Sequence, residues 1–273
     1  MLVFPNAKIN LGLYVTERRS DGFHTLESVF LPLPWSDALE ILPAPAGQVT
    51  SLTLTGRPIP GASATNLCLR AYELLQADFP ELPSVQIYLH KIVPIGAGLG
   101  GGSADAAFVL KATNDLFNLG LTVEILESYA RRLGSDCAFF IRNKPVLAVE
   151  KGDVFEEIKL NLTGTGCVVV YPNLHISTAE AYARVVPQHP LHALREALAQ
   201  PMVTWRDTVG NDFETALTPG HPVLADIKQQ LYDAGATYVS LSGSGSAVYG
   251  LWEGGEPMSV SWSADFTVWQ GKL

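Results

Sequence analysis

The first pattern along the chain is an alternation. Ile9, Leu11 and Leu13 share one face while Lys8, Asn10 and Gly12 share the other, so Leu2 to Val15 reads as a strand. Lys8 and Asn10 are therefore expected to project to the same side of a sheet. Leu39–Leu42 and Thr50–Thr55 read as further short strands, and Ser84–Lys91 alternates with Val85, Ile87 and Leu89 inward. Leu67, Ala71, Leu74 and Leu75 form a helical stripe that Thr65 or Asn66 would cap. Ala106, Val109, Leu110, Thr113 and Phe117 predict a helix capped by Ser103. Ile125, Leu126, Tyr129, Ala130 and Leu133 predict the core face of another, starting near Thr122 and stopped by Gly134. Ser135 reads as the cap of a third, with Asp136 in its first turn.

The second half mixes the two periods. Strands are expected near Pro145–Val149 and Gly166–Tyr171, then helices over Thr178–Val186, Leu191–Ala199 and Pro222–Ala234. Strands Thr237–Leu241 and Ala247–Trp252 follow, joined by a glycine turn. Between Pro145–Val149 and Gly166–Tyr171 lies a stretch rich in Gly and Thr, Leu160–Gly166, and the domain boundary is placed close to Asp153–Leu160. Strands and helices without strict βαβ repetition predict two α+β domains, 1–155 and 156–273.

Composition narrows the function. Of 273 residues 47% are apolar, enough for a sizeable core, and the net charge is −9. An acidic chain with no long Lys/Arg cluster is a poor nucleic-acid binder, because a phosphate backbone demands a basic surface. Any anionic ligand must then be met by a local field. Cys68, Cys137 and Cys167 lack metal-ligand spacing and read as reduced, buried thiols. His189 and His192 have no third ligand near and read as surface. The N-terminus lacks a signal-peptide pattern and no apolar run is long enough to span a bilayer, so no membrane partner and a cytoplasmic location are expected.

One segment stands out chemically. Pro94-Ile95-Gly96-Ala97-Gly98-Leu99-Gly100-Gly101-Gly102-Ser103 follows a strand and opens a helix, with five glycines in seven residues. Glycines let a backbone approach phosphates, and a helix N-terminus offers unpaired N–H groups and the positive end of its dipole. A dinucleotide loop would need its acidic residue about 20 residues on, and only Asp115 and Glu124 straddle that place. A P-loop would need a lysine directly after the glycines, and there is none. A bare flexible turn would not call for Ser-Ala-Asp-Ala-Ala leading into a helix.

The same segment, continued by Ala104, resembles the phosphate-binding motif of the GHMP kinases. Pro5-Asn6-Ala7-Lys8-Ile9-Asn10-Leu11 is similar to their first motif, with Asn6 as a departure, and Leu241-Ser242-Gly243-Ser244-Gly245-Ser246 to their third. Arg19-Ser20-Asp21-Gly22-Phe23-His24-Thr25-Leu26, Leu133-Gly134-Ser135-Asp136-Cys137-Ala138-Phe139-Phe140 and Val209-Gly210-Asn211-Asp212-Phe213-Glu214 resemble a subgroup that makes isoprenoid precursors. Phe23 stands there for a commoner tyrosine.

The resemblance implies a two-domain α+β fold, with a ribosomal-protein-S5-like N-terminal domain and a ferredoxin-like C-terminal domain to which the last ten or so residues need not belong. It implies ATP and Mg²⁺, and a small-molecule acceptor carrying a diphosphocytidyl group. Asp136 would be the catalytic base and Lys8 its cationic partner, with Asn10 on the acceptor. Phe23 and Tyr182 would flank the cytosine, the main chain of His24 would read its edge, and Thr178, capping the helix of Tyr182, would touch the substrate. Pro94, Gly96, Gly98, Leu99, Gly100, Gly101, Gly102, Ser103 and Ala104 would hold ATP. Asn66 and Lys91 are further nucleotide candidates, the alternatives being a helix cap and a solvated strand end. Gly243, Ser244 and Gly245 would support the loop, and Ser103 is the one named ligand for Mg²⁺. A homoserine- or mevalonate-type kinase and a non-catalytic nucleotide-binding module are the competing readings.

Overall fold

The structure is a computed structural model that describes residues 1–59, 65–255 and 260–273. The chain forms two compact units. One comprises Met1–Ala7, Trp35–Ile95 and Gly100–Lys144, the other Lys8–Pro34, Gly96–Leu99 and Pro145–Leu273.

The first unit holds a sheet in the order Leu2–Val3, Ala38–Pro43, Val85–Lys91, Ser51–Gly56. Val85–Lys91 runs antiparallel to Ala38–Pro43, with Ile87 opposite Ile41, and parallel to Ser51–Gly56, with Ile87 opposite Leu52. The predicted inward set, Val85, Ile87 and Leu89, is buried. The helix Leu67–Asp78 begins at Asn66, whose side chain accepts the Cys68 N–H at 2.9 Å. It packs against the helix Gly101–Leu116, which packs in turn against Val123–Leu133. Thr122 caps this last helix by accepting from the Ile125 N–H, as the pattern predicts, but Ile125 itself faces outward and Leu126, Tyr129, Ala130 and Leu133 form the buried stripe.

The long strands Asn6–Arg18 and His24–Ser36, which supply Lys8–Arg18 and His24–Pro34 to the second unit, lie side by side, followed by Val146–Val149 and Val154–Glu157. Pro5 separates Asn6–Arg18 from Leu2–Val3, so the expected single strand is two. The region read as a domain boundary contains Val154–Glu157, which pairs antiparallel with Val146–Val149, Val149 opposite Val154. A second, antiparallel sheet has the order Tyr238–Leu241, Val248–Trp252, Gly166–Tyr171, Thr267–Lys272. Thr267–Lys272 is the outer strand of this sheet, pairing along Gly166–Tyr171 with Val268 opposite Val170. Helices Thr178–Arg184, Asp212–Leu217 and Pro222–Asp233 place Ala181, Phe213, Leu217, Ile227 and Leu231 in one core with Val168, Val170, Val239 and Val248. Among the described residues no helix is long and apolar enough to cross a membrane, and all three cysteines are buried free thiols.

Candidate active site

Three glycines of the loop, Gly96, Gly98 and Gly100, have φ of +65°, +78° and +68°. Left-handed residues alternating with ordinary ones are the backbone pattern that, in general, turns successive N–H groups toward one side and suits an anion. Gly100 is also the N-cap of Gly101–Leu116, and no side chain caps this helix. The expected cap at Ser103 is thus corrected. A left-handed glycine starts the helix early enough that Ser103 is its third residue. The Ala104 N–H makes the first turn's bond, to the Gly100 carbonyl at 2.9 Å, and the Ala104 side chain is buried. The amides left for an anion are those of Gly101, Gly102 and Ser103. Gly102 is exposed, with nothing within 4 Å of where a Cβ would be.

Within the first unit, Lys91 is not at a solvated strand end. It continues the inward set of its strand, is 2% exposed, and binds Asp37 at 2.5 Å and Asp105 at 2.7 Å. A Cβ on Gly101 would sit 2.9 Å from its Nζ, so Lys91 lies under the start of the helix. Asp37 accepts the N–H groups of Ile92 and Val93, at 2.5 and 2.8 Å, which fixes the chain entering Pro94. Lys91 therefore shapes this stretch from beneath. Neither aspartate was found from sequence, although Lys91, two residues after the inward Leu89, already asked for a buried counter-charge.

This cluster buries two carboxylates and one ammonium. Desolvation and the second carboxylate push Asp105 up from 3.8 to about 7, against the opposing pull of Lys91. A raised carboxylate means the folded state keeps a proton that the unfolded chain has released. Its contribution to stability is full below the ordinary carboxylate range and is lost as pH rises through about 7. Asp105→Asn is expected to remove that dependence. From pH 5 to pH 8 the wild-type melting temperature should fall several degrees relative to the variant's, and parallel curves would refute the assignment.

Asp136 lies in a 3₁₀ turn, Ser135–Cys137, that follows Gly134, and is half-buried. Ser135 makes no capping bond, and only a short helix, Phe139–Arg142, follows, where a longer capped one was expected. The flanking Cys137, Phe139 and Phe140 are buried and anchor the turn. Burial pushes the Cys137 thiol up to about 11, so it stays protonated and unreactive.

Within the second unit, Lys8 and Asn10 do share a face. Lys8 Nζ donates to Asn10 Oδ1 at 2.5 Å and lies 4.9 Å from the centroid of the Phe30 ring. Both are nearly fully buried, so Lys8 is no surface lysine. Asn10 is held further by Ser28 Oγ, 2.8 Å from its Nδ2, and by Tyr249, whose hydroxyl donates to its carbonyl at 2.7 Å. The Lys8 N–H donates to the Leu99 carbonyl at 2.9 Å, tying this strand to the glycine segment. Ser242 completes the cradle. Its hydroxyl donates to the Gly98 carbonyl at 2.9 Å and accepts the Asn10 N–H at 3.3 Å.

Asp21-Gly22-Phe23-His24 forms the tip of the hairpin between the two long strands. Gly22 has φ +86°, and Asp21 accepts the Phe23 N–H at 3.1 Å. Phe23 is 57% exposed, with Lys151 Nζ 5.0 Å from its ring centroid. Tyr182 stacks on the His24 ring at 4.7 Å and meets Phe213 edge-on at 5.0 Å. The imidazole of His24, whose main chain is the part the resemblance gives a role, covers one face of Tyr182. Desolvation and Arg18 lower the His24 pKa from 6.5, which favours the neutral ring in that stack. Ser177, not Thr178, caps Thr178–Arg184, accepting the Glu180 N–H at 3.1 Å. Thr178 Oγ1 lies 3.4 Å from Ser244 Oγ instead, and Gly243 and Gly245 carry left-handed φ on either side of that serine.

The profile of "GHMP kinases N terminal domain" matches residues 66–144, and that of "GHMP kinases C terminal" matches 189–257. The chain is 50% identical to a 4-diphosphocytidyl-2-C-methyl-D-erythritol kinase of Bacteroides fragilis, over 92% of each chain. It is 47% identical to the kinase of that name from Bacteroides thetaiotaomicron, over 100% of each. A crystal structure of 4-(cytidine 5'-diphospho)-2C-methyl-D-erythritol kinase superposes with TM-score 0.77 at 33% identity, over 93% of this chain and 91% of that one.

Proposed function

This chain belongs to the GHMP kinases, and we propose that it transfers the γ-phosphoryl group of ATP to the 2-hydroxyl of 4-diphosphocytidyl-2-C-methyl-D-erythritol, a step in non-mevalonate isoprenoid precursor biosynthesis. The observation that carries the acceptor is the 47% identity that runs the whole length of both chains. The exposed Phe23 and the stacked His24–Tyr182 pair support it, since flat aromatic faces suit a pyrimidine.

The chemistry asks for positioning and for neutralisation of charge on the transferring group. The amides of Gly101, Gly102 and Ser103, with the left-handed glycines before them, are suited to the phosphates. Asp136 accepts the acceptor's hydroxyl proton as that oxygen attacks the γ-phosphorus and the bond to the bridging oxygen of ADP breaks. The Lys8 ammonium, held by Asn10, stabilises the negative charge that develops. Among the described residues no three His, Cys, Asp or Glu side chains gather for a metal. Mg²⁺ keeps several waters and is bound mainly through nucleotide phosphates, so it asks for few protein ligands. Ser103, in the first helical turn, is the protein oxygen that would join them, and the ion would neutralise phosphate charge.

A coupled assay of ADP release against a panel of acceptor alcohols tests the reading. Release is expected with the diphosphocytidyl acceptor. Release only with homoserine or mevalonate would replace the acceptor, and no release with any alcohol would leave a nucleotide-binding module.

A further inference from the structure

Asn211 and Glu214 have no part in the chemistry above, yet both side chains converge on the chain around Leu241, where the glycine turn begins. Asn211 Nδ2 donates to two carbonyls, those of Leu241 at 2.9 Å and Gly243 at 3.0 Å. These carbonyls bracket Ser242. The other end of the same amide, Oδ1, accepts the Phe213 N–H at 2.9 Å and so caps the helix Asp212–Leu217. Glu214 holds the strand side of the turn. Its Oε1 accepts the Leu241 N–H at 2.7 Å and the Ser240 hydroxyl at 2.9 Å, and Lys228 binds its Oε2 at 2.5 Å. Leu241 thus has both backbone groups bound by side chains from one short stretch.

The turn touches the phosphate loop closely. A Cβ on Gly98 would lie 1.9 Å from the Ser242 carbonyl oxygen, and the Ser242 hydroxyl donates to the Gly98 carbonyl. The Ala247 N–H donates to the Ala97 carbonyl at 3.1 Å. The loop therefore takes its shape from the turn, and the turn takes its shape from Asn211, which is 4% exposed and spends both amide hydrogens on it.

We propose that Asn211 is a positioning residue for ATP binding, acting through the 242–246 turn on Gly98, with Glu214 as its support. This rests on the ATP reading of the glycine loop. It separates from acceptor binding in the main because the Asn10 side chain is held by Lys8 and Ser28 and its carbonyl by Tyr249; the turn reaches Asn10 through one backbone bond, the N–H on Ser242 Oγ at 3.3 Å, so loss of the turn's geometry falls chiefly on the Gly98 side.

Asn211→Asp turns the two attractions into repulsions, since a carboxylate oxygen would face the Leu241 and Gly243 carbonyls. It keeps an acceptor for the helix cap and removes the two donors to the turn. Ser242→Ala cuts the next link without touching residue 211. Calorimetric titration with ATP, on protein shown to be folded at the working temperature, is expected to give a dissociation constant raised about tenfold in each variant. The KM for the acceptor should move less than twofold. ATP affinity within threefold of wild type in a folded variant would overturn the proposal, as would an equal rise in both constants. If Asn211→Asp does not fold, Ser242→Ala decides alone by the same criteria. A wild-type chain that fails to bind ATP would overturn the nucleotide reading itself, an outcome separate from either variant's.

Discussion

Gly98→Ala is expected to destabilise the protein and abolish ADP release. Two costs coincide at this position. A side chain must adopt φ +78°, which costs an L-residue about 1–2 kcal/mol. Its Cβ would also stand 1.9 Å from the Ser242 carbonyl oxygen and 3.3 Å from the Gly245 nitrogen, both backbone atoms with no rotamer to yield. Overpacking of that kind costs a further 1–3 kcal/mol, roughly, when neighbours can shift, and here the Ser242 carbonyl is held by the Gly245 N–H at 3.0 Å. The sum, about 2–5 kcal/mol, is a large share of a typical domain's roughly 5–15 kcal/mol. Whatever relaxes must move the loop or the turn, and either motion misdirects the amides meant for the phosphates. Gly102→Ala is the control. It lies inside the helix with open space around it, so its melting temperature should match or exceed wild type, since alanine is the better helix former by up to ~1 kcal/mol. Thermal melts of the two variants, with ADP release measured beside them, check the contrast. A Gly98→Ala protein as stable and active as wild type would refute the interlock.

How much of this was legible beforehand depended on whether the signal was local. Alternation placed Lys8 beside Asn10 and buried Val85, Ile87 and Leu89, because a period of two leaves no freedom once one face is buried. The glycine spacing marked the loop, but not which glycine would be left-handed at the helix start, so the cap was assigned to Ser103 and not to Gly100. The same kind of error put the helix cap at Thr178 and not at Ser177, since adjacent hydroxyls offer equal caps to a reader of sequence. Lys91's partners lie 54 and 14 residues away, and a pairing of that range leaves no periodic trace. The strand His24–Ser36 was missed altogether: Pro32 and Pro34 interrupt its pattern, although prolines are tolerated where the ladder needs no donor. The role of Asn211 was equally hidden, because the turn it serves begins 30 residues later.

Removing the carboxylate at Asp136 is expected to lower kcat by about 10²–10⁴, the usual contribution of a positioned acid or base, equivalent to about 3–5 kcal/mol of barrier. Asp136→Asn keeps the side chain's volume in the 3₁₀ turn, and the turn is anchored by Cys137, Phe139 and Phe140, so the fold should survive. Lys8→Met keeps an aliphatic stem against Phe30 while deleting the charge, and it leaves Asn10 Oδ1 without its 2.5 Å donor. Its kcat should fall about as far, because charge developing on the acceptor and the transferring group would lose its fixed cation. ATP affinity should change little in either variant, since the amides of Gly101, Gly102 and Ser103 are untouched. The informative quantity is the double variant. If Asp136 and Lys8 act as a unit, the second substitution has little left to remove, and the combined loss should be close to the larger single loss. Losses that multiply would mean the two act on separate steps. Near-native turnover in Asp136→Asn would remove this residue from the reaction, and would leave Lys8 as an electrostatic group acting without a protein base.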